Sequence, residues 1–264
     1  GDVLGLLDQR WYERVEAPPD ETRLERSQRW RESDVWGESP RAIGPAPHEA
    51  HLVHVADRAA DDLHVMAACA DQGHGFVIRA KHNRRVNDGT DKLWPALQAQ
   101  PQAGAMTVEQ GTQRHNGRIT RRGRRAEVTV QYTTVHLDRP WNHPGEAPAR
   151  TVNAVYLSEA EPPADVEPID WLVLTSEPVS SVDDAKRIIG YYQKRWVIEQ
   201  WHRCLKEGCR LEQSQLETPD DLQRLAAIQS IIAVRLIQWR DAADPDKRQA
   251  DEATTLQQIV PWLW

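Results

Sequence analysis

HLVHVADRAADDLHVMAACADQGHGFVIRA, residues 51–80, contains two short apolar runs separated by a helical pattern. HLVHVA and GFVIRA are typical of buried strands, and the intervening helix has Asp57 near its N-terminus and Gly73 as its stop. The order strand, helix, strand predicts a parallel pair inside an α/β sheet. Asp57 would then lie at the carboxyl end of the first strand.

The pattern on either side adds more strands than helices. AEVTVQYTTVHL alternates like an exposed antiparallel strand, and TVNAVYL and IDWLVLT predict two further strands. On the N-terminal side, VLGLLDQRWY predicts a strand and residues 22–36 a charged helix. Residues 83–165 therefore resemble a β-rich insertion within the α/β core.

Two helices are predicted in the last third of the chain. SSVDDAKRIIGYYQKRW begins one, with Ser181 and Asp184 placed as a capping box. PDDLQRLAAIQSIIAVRLIQWRD forms the other, and its apolar content predicts deep packing. The chain begins at Gly1 inside one apolar run and stops inside another, so we expect a fragment of a longer protein.

Composition excludes several classes of protein. Among 264 residues there is neither an 18-residue apolar stretch nor a basic region followed by an apolar one, so we expect no membrane span and a cytoplasmic location. The three cysteines, Cys69, Cys204 and Cys209, lack the spacing of a zinc site and are expected to be buried thiols.

Charge is unevenly distributed along the chain. The net charge is −7, yet residues 77–125 hold eleven Lys and Arg against three acids, and residues 159–184 hold eight acids and no base. A cationic region of this kind can neutralise phosphates. The alternative for the run RRGRR, residues 121–125, is a basic loop without a partner.

YYQKRWVIEQWHRCLK, residues 191–206, has an ordered pattern of charges. On a single helix, Arg195, Glu199 and Lys206 lie within about 60° of Tyr192, on a stripe about 21 Å long. Such a stripe suits an extended charged ligand such as a polynucleotide backbone. The alternative is a solvated face stabilised by weak i,i+4 ion pairs.

Two carboxylates are candidates for chemistry, Asp57 at a strand end and Glu199 on the helix. Hard divalent cations such as Mg²⁺ take carboxylate oxygens, and two such ions can activate a water or a 3′-hydroxyl for displacement at phosphorus. The alternative for Asp57 is a helix N-cap, and spacing alone does not separate the two.

The Tyr-x2-Arg-x3-Glu-x6-Lys pattern resembles the Y-R-E-K motif of DDE transposases of the insertion-sequence-four family, in particular the Tn-five group. VADRAADDLHVM, FVIRAKH and IDWLVLTSEPV resemble the same family's segments around the second catalytic aspartate, the following strand and the strand before the Y-R-E-K helix. The resemblance implies an RNase H-like mixed sheet flanked by helices, and a β-rich insertion between the second and third catalytic carboxylates.

Site roles follow from the resemblance. It implies that Asp57 and Glu199 are catalytic ligands of Mg²⁺ (or Mn²⁺), and that Trp171 stacks on a flipped base. Double-stranded DNA at transposon ends is the implied partner, and the full-length protein is expected to be a homodimer. The remaining candidates are cationic, polar or aromatic side chains expected to contact DNA: Tyr192, Arg195, Lys206, Arg79, Lys81, His82, Arg121, Arg122, Arg124 and Arg125.

The family's first catalytic aspartate has no counterpart in this sequence, since Asp2 and Asp8 do not lie in a matching context. We therefore expect the fragment to be inactive alone. The alternative function is a non-catalytic remnant that binds DNA or a full-length partner. The expected domains are the first part of the core (1–82), the insertion (83–165), the second part of the core with the Y-R-E-K helix (166–240) and the start of a C-terminal region (241–264).

Overall fold

The computed structural model describes residues 2–12, 16–22, 25, 29–30, 32–115, 118–139 and 149–243. Part of the helix predicted for residues 22–36 lies outside the described residues, namely residues 23, 24, 26–28 and 31. The chain divides into two compact units, one formed by Tyr12–Arg195 and the other by Gly1–Trp11 with Trp196–Trp264. The four-part domain division expected from the sequence stays a prediction.

The larger unit is built on an eight-stranded sheet. Its strands run in the order β1-β2-β10-β9-β8-β3-β4, and β5 also pairs with β8. The bounds are β1 Val53–Ala56, β2 Gly75–Arg79, β3 Arg85–Val86, β4 Asp91–Lys92, β5 Gly104–Gln110, β8 Arg124–Leu137, β9 Arg150–Ser158 and β10 Asp170–Thr175. A second, two-stranded sheet consists of β6 Gln113–His115 and β7 Arg118–Arg121.

Among the described residues of this unit, four α-helices accompany the sheets: α1 Val35–Ile43, α2 Leu63–Asp71, α3 Leu93–Gln98 and α4 Val182–Lys194. The main sheet has parallel and antiparallel pairs, and its strand path does not close. The prediction of a mixed α/β sheet flanked by helices is thereby confirmed in its general form.

The order strand, helix, strand predicted for residues 51–80 is confirmed, although the helix begins at Leu63 and not at Asp57 as predicted. β1 and β2 are parallel, and α2 lies between them in the chain. Asp62 caps α2 by accepting a hydrogen bond from the His64 backbone N–H at 2.9 Å. Gly73 follows the helix with φ 71°, a left-handed conformation that glycine adopts at little cost.

β10 runs antiparallel to β2 and fixes which residues share an edge of the sheet. Val173 lies opposite Arg79, and the Ala80 backbone N–H donates to the Leu172 carbonyl at 2.8 Å. The start of β10 therefore lies at the same edge as the carboxyl ends of β1 and β2. Residues following β1, ending β2 and beginning β10 are brought together there.

Apolar side chains cover both faces of the sheet. On β2, Phe76 and Ile78 belong to one core cluster and Val77 to the other, as alternation along a strand requires. β8 was predicted to alternate like an exposed antiparallel strand. Its antiparallel pairing is confirmed, but the strand lies inside the sheet, between β9 on one side and β5 and β3 on the other, and Val128 and Val135 are buried in the two core clusters.

The capping box at α4 is confirmed. Ser181 Oγ accepts from the Asp184 N–H at 3.1 Å, and Asp184 Oδ2 accepts from the Ser181 N–H at 3.1 Å. Hydrogen bonds from the Ser180 backbone and side chain, then from Ser181 and Arg187, hold the pKa of Asp184 far below its ordinary value.

The smaller unit contains α5 Trp196–Arg203, a π-helical turn Cys204–Gly208, a 3₁₀ turn Leu211–Gln213 and α6 Pro219–Ala243. The strand predicted for VLGLLDQRWY is wrong. The Val3 carbonyl accepts from Gln238 Nε2 at 2.7 Å, and Gln9 Oε1 accepts from Ser230 Oγ at 3.0 Å. The segment is bound by side chains of α6 instead of a strand ladder.

α6 is only partly buried. Ala233, Val234 and Ile237 pack with Trp201 and Leu205 of the preceding helical segment. The prediction that α6 packs deep is wrong for its other face, where the exposed large apolar side chains are Ile228, Ile231, Ile232, Leu236 and Trp239.

The described helices include none that is long and apolar enough to cross a membrane. Cytoplasmic location stays a prediction. Cys69 is buried, and burial raises the pKa of its thiol to about 12. Cys204 and Cys209 are half-buried, so the prediction of buried thiols holds in full only for Cys69.

A histidine pair joins β1 to the start of β2. His54 Nε2 lies 2.9 Å from His74 Nδ1, and their rings stack with centroids 5.0 Å apart. Burial, with repulsion from His74, lowers the pKa of His54 to about 4. The pKa of a histidine in an unfolded chain is about 6.5. Between pH 6.5 and pH 4, His54 therefore binds a proton in the unfolded chain and stays neutral in the folded chain.

Stability should therefore fall as the pH is lowered from about 6.5 towards 4. Between pH 7 and 4.5, the free energy of unfolding measured with urea should fall by about 2 kcal/mol more in the parent chain than in His54→Gln, a figure that allows for partial exposure of the ring. His48→Gln, at a fully accessible histidine, is the matched control and should follow the parent chain. Equal pH profiles for the parent chain and His54→Gln would contradict the assignment.

Candidate functional site

Asp57 lies at the sheet edge where β1 ends. Its Oδ1 accepts a hydrogen bond from the Ala59 N–H at 2.8 Å and caps the 3₁₀ turn Arg58–Ala60. The capping role left open by the sequence is therefore confirmed. A carboxylate has about four lone-pair positions, so a cap does not exclude a metal contact. The side chain is half-buried and points from a rigid strand end.

Three residues expected to contact DNA meet at this same edge. The guanidinium carbon of Arg79 lies 5.5 Å from the centroid of the Trp171 ring. Trp171 and Tyr192 form an edge-to-face pair with centroids 5.4 Å apart and planes at 74°. The three side chains come from β2, β10 and α4, so the pairing of β10 with β2 is what joins them.

Arg79 is the polar centre of this cluster. Its Nη2 donates to the Asp170 carbonyl at 3.1 Å. Burial is the largest cause that lowers the pKa of Arg79, Tyr192 opposes it, and the nearby Arg58 adds repulsion. Since a guanidinium stays protonated in proteins, two arginines concentrate positive charge beside Asp57.

The side chains of this cluster pack against each other and the core instead of projecting separately from the surface. Tyr192 is only 7% exposed, and Trp171 is half-buried against the apolar core. Cation–π and edge-to-face contacts each add roughly 0.5–1.5 kcal/mol to such packing. Contact of Tyr192 with phosphate and stacking of Trp171 on a base stay predictions.

Asp61, which the sequence analysis missed, positions the chain after β2. Its side chain is fully buried and Oδ2 accepts from the Lys81 and His82 N–H groups at 2.6 and 3.0 Å. Its Oδ1 also accepts from Arg84 Nη2, and Arg84 donates to the Asp61 carbonyl at 3.0 Å. The side chains of Lys81 and His82 are left exposed at the edge.

A sequence signal for Asp61 existed but was weak. DRAADD contains three aspartates. Asp57 follows the strand and Asp62 caps the helix, so Asp61 is the one without a local role. Its partners Lys81 and Arg84 lie about twenty residues away in sequence. Local pattern carries no information on such a distant pairing.

The arginine run has partners within the protein. Arg124 forms a two-point ion pair with Glu159, with Nη2 and Oε2 2.6 Å apart, and this contact raises the pKa of Arg124 and lowers that of Glu159. Arg125 pairs with Glu109 at 2.9 Å. Arg121 donates to the Gly111 carbonyl at 3.4 Å, and Arg122 is exposed. The segregation of charge along the sequence is therefore reduced in the folded unit.

The Y-R-E-K segment does not form one helix, so that prediction is wrong. α4 ends at Lys194, Arg195 follows, and α5 begins at Trp196. Past α5, the Cys209 N–H bonds to the Cys204 carbonyl, five residues back, which marks a π-helical turn that rotates Lys206 from its α-helical position. Tyr192 and Arg195 belong to the larger unit, Glu199 and Lys206 to the smaller.

Within the smaller unit, Glu199 and Lys206 both act on His202. Partial burial lowers the pKa of His202, with Glu199 opposing and Lys206 adding to this effect. Lys206 Nζ also lies 2.9 Å from Glu212 Oε1 in an exposed ion pair. Glu199 is half-buried. A carboxylate and a cation thus face one imidazole along α5 and the turn that follows.

A family model described as the transposase DDE domain matches residues 39–235, more than half of the chain. The match includes β1 with Asp57, the cluster of Arg79, Trp171 and Tyr192, and the whole of α5. It ends inside α6.

Replacing Asp61 should destabilise the larger unit more than replacing its neighbour. Asp61→Ala leaves the Arg84 guanidinium buried without its carboxylate and should cost about 3–5 kcal/mol. Asp62→Ala removes only the cap of α2 and should cost about 1 kcal/mol. Urea unfolding of both variants measures the difference, and equal costs would show that the Asp61 contacts contribute little.

Proposed function

The chain belongs to the transposase DDE domain family, and we propose that it is the catalytic-domain portion of a cut-and-paste transposase of the insertion-sequence-four, Tn-five-like group. Membership of the family implies an RNase H-like fold, action on DNA and use of a divalent metal. The finer proposal is DNA cleavage and strand transfer at transposon ends. The observation that supports it best is the meeting of Arg79, Trp171 and Tyr192 at the sheet edge beside Asp57.

Asp57 and Glu199 are the proposed catalytic carboxylates and the ligands of Mg²⁺ or Mn²⁺. The donor chemistry fits, since both offer hard oxygen atoms from rigid elements and neither is fully buried. When bound, the metal would polarise a water or a 3′-hydroxyl and stabilise the leaving oxygen at phosphorus. The contribution of Asp57 is a carboxylate whose direction is fixed by its hydrogen bond from Ala59.

DNA contacts are proposed in two groups. Lys81, His82 and Arg122 have exposed side chains and no competing ion pair within the described part of the chain. The other proposed contacts are engaged with protein groups and would bind phosphate from those positions: Arg79, Arg121, Arg124, Arg125, Tyr192, Arg195 and Lys206. An arginine held by a carboxylate or a carbonyl has a fixed orientation. Where the partner is a carboxylate, the pair offers less net positive charge to a phosphate.

The β-rich insertion is proposed to span residues 83–165. This range includes β3 to β9, and β8 and β9 continue the sheet that begins with β1 and β2. A homodimer in the full-length protein is likewise proposed from the family. Strands of the proposed core and of the proposed insertion belong to the same main sheet.

A non-catalytic DNA-binding module is the second candidate. The specific observation in its favour is that the carboxylate of Asp57 is already engaged as a cap. Moreover, the family's chemistry uses three carboxylates, and Asp57 and Glu199 supply two. A module of this kind would bind DNA with the same cationic residues and would not respond to Mg²⁺.

DNA affinity should fall steeply with salt, and the slope should report the proposed contacts. Lys81→Ala and Arg195→Ala should each reduce the slope of log K against log salt by about 1, because each removes about one phosphate contact. Arg224→Ala, at an exposed arginine paired with Asp221 on α6, is the control and should leave the slope unchanged. Fluorescence anisotropy over a salt series gives the slopes, and unchanged slopes in both test variants would contradict these contacts.

Mg²⁺-dependent cleavage separates the two candidate functions. The assay uses duplex DNA with transposon ends, and it compares the 264-residue chain with a chain to which the family's opening strand, with its first catalytic aspartate, is fused ahead of Gly1. Asp57→Asn and Glu199→Gln should lower cleavage by several orders of magnitude and leave DNA affinity within about twofold, since each removes a metal ligand and no DNA contact. Cleavage that survives Glu199→Gln rules out its catalytic role, whereas binding without any cleavage supports the non-catalytic module.

A further inference from the structure

Asp88, His136 and Asp138 meet where the turn after β3 lies against the end of β8. One potential ligand atom from each, a carboxylate oxygen or a ring nitrogen, lies within 4.8 Å of the other two. Asp88 is exposed, and His136 and Asp138 are half-buried, so solvent reaches the group. None of the three belongs to the site proposed at the edge beside Asp57.

The chain is held at this point by backbone bonds. The Asn87 N–H donates to the His136 carbonyl at 2.8 Å, and the His136 N–H donates to Asn87 Oδ1 at 3.0 Å. Asn87 and Asp88 both adopt left-handed backbone angles, φ 56° and 59°, which asparagine and aspartate tolerate better than most residues. The turn therefore presents Asp88 to the strand in a fixed orientation.

His136 is oriented from outside the group. Thr151 Oγ1 of β9, directly opposite His136 in the sheet, lies 3.2 Å from His136 Nδ1. A histidine that binds a metal is usually held by a contact of this kind to its ring, which sets tautomer and rotation. Thr151 thus supplies the supporting contact that such an imidazole needs.

Neither Asp88 nor Asp138 forms an ion pair within the described part of the chain. Among the ion pairs formed by the described residues, none includes Asp88 or Asp138. Asp138 Oδ1 accepts the neutral Asp88 N–H at 3.0 Å. Two carboxylates therefore lie close together without an ion-pair partner among the described residues, and a bound cation would reduce their mutual repulsion.

We propose that Asp88, His136 and Asp138 bind a divalent first-row transition metal such as Zn²⁺ or Mn²⁺. An imidazole with two carboxylates suits these ions, whereas Mg²⁺ prefers oxygen ligands alone. Because β8 runs opposite to β2 in the sheet, its carboxyl end lies at the edge away from the carboxyl ends of β1 and β2. The ion would join the β3–β4 turn to β8 and act as a structural clip.

The test is binding of Co²⁺ and Zn²⁺ to the whole chain in excess Mg²⁺. Co²⁺ binding is measured by its visible absorption and Zn²⁺ binding by calorimetry. The parent chain should bind one ion, His136→Ala should bind none at this site, and Thr151→Val should bind roughly tenfold more weakly. Asp88→Asn should also lose the ion. Asp91→Asn, an exposed aspartate three residues away, and His48→Ala are the matched controls and should bind like the parent chain.

A gain in thermal stability provides the second measurement, since an ion that binds the folded chain raises its melting temperature. That gain, measured for each variant against its own melting temperature without metal, should be present in the parent chain and the controls and absent in His136→Ala. Unaltered binding in His136→Ala and Asp88→Asn, no binding by the parent chain, or a thiolate charge-transfer band lost in a Cys204→Ser, Cys209→Ser variant would each overturn the proposal.

Discussion

The antiparallel pairing of β10 with β2 is the constraint on which the larger unit depends. It joins strands nearly a hundred residues apart and is reinforced inside the core, where Thr175 Oγ1 donates to the Phe76 carbonyl at 2.7 Å. Through it, the start of β10 lies at the carboxyl edge of β1 and β2. Trp171 meets Arg79 for this reason alone, and Tyr192 joins them because α4 packs on the same face.

A second layer of contacts stabilises the edge itself. The side chain of Asp61, in the turn after β1, bonds the chain after β2 and pairs with Arg84, whose own side chain is largely buried. Buried ion pairs of this type add little net stability compared with apolar packing, yet they are costly to break and so hold one backbone arrangement. Because Asp61 holds the backbone N–H groups of Lys81 and His82, it also fixes the direction of their exposed side chains.

The arginines of the insertion show how folding redistributes charge. In sequence, a basic region precedes an acidic one, which favours a cationic surface for phosphate. In the folded unit, Arg124 reaches Glu159 and Arg125 reaches Glu109, so part of that charge is neutralised within the protein. Electrostatic steering of DNA would then depend on the cations that keep no such partner in the described part of the chain, of which Lys81 and Arg122 are examples.

Elements whose causes are local could be predicted before any coordinates were known. Residues 51–80 form the predicted strand, helix and strand because the apolar runs and Gly73 act over a few residues, and Ser181 with Asp184 starts α4 in the same way. The start of α2 was missed, since the structure places it after Asp62 and the sequence analysis at Asp57. The folded chain alone reveals the contacts of Asp61, the burial of β8, the course of residues 2–11 and the grouping of Asp88 with His136. In each case the partner lies far along the chain, and hydrogen bonds and burial at that distance leave no mark on local periodicity. The break at Arg195 and the π-helical turn after α5 belong here too, because an ideal helical period cannot anticipate where the backbone departs from it.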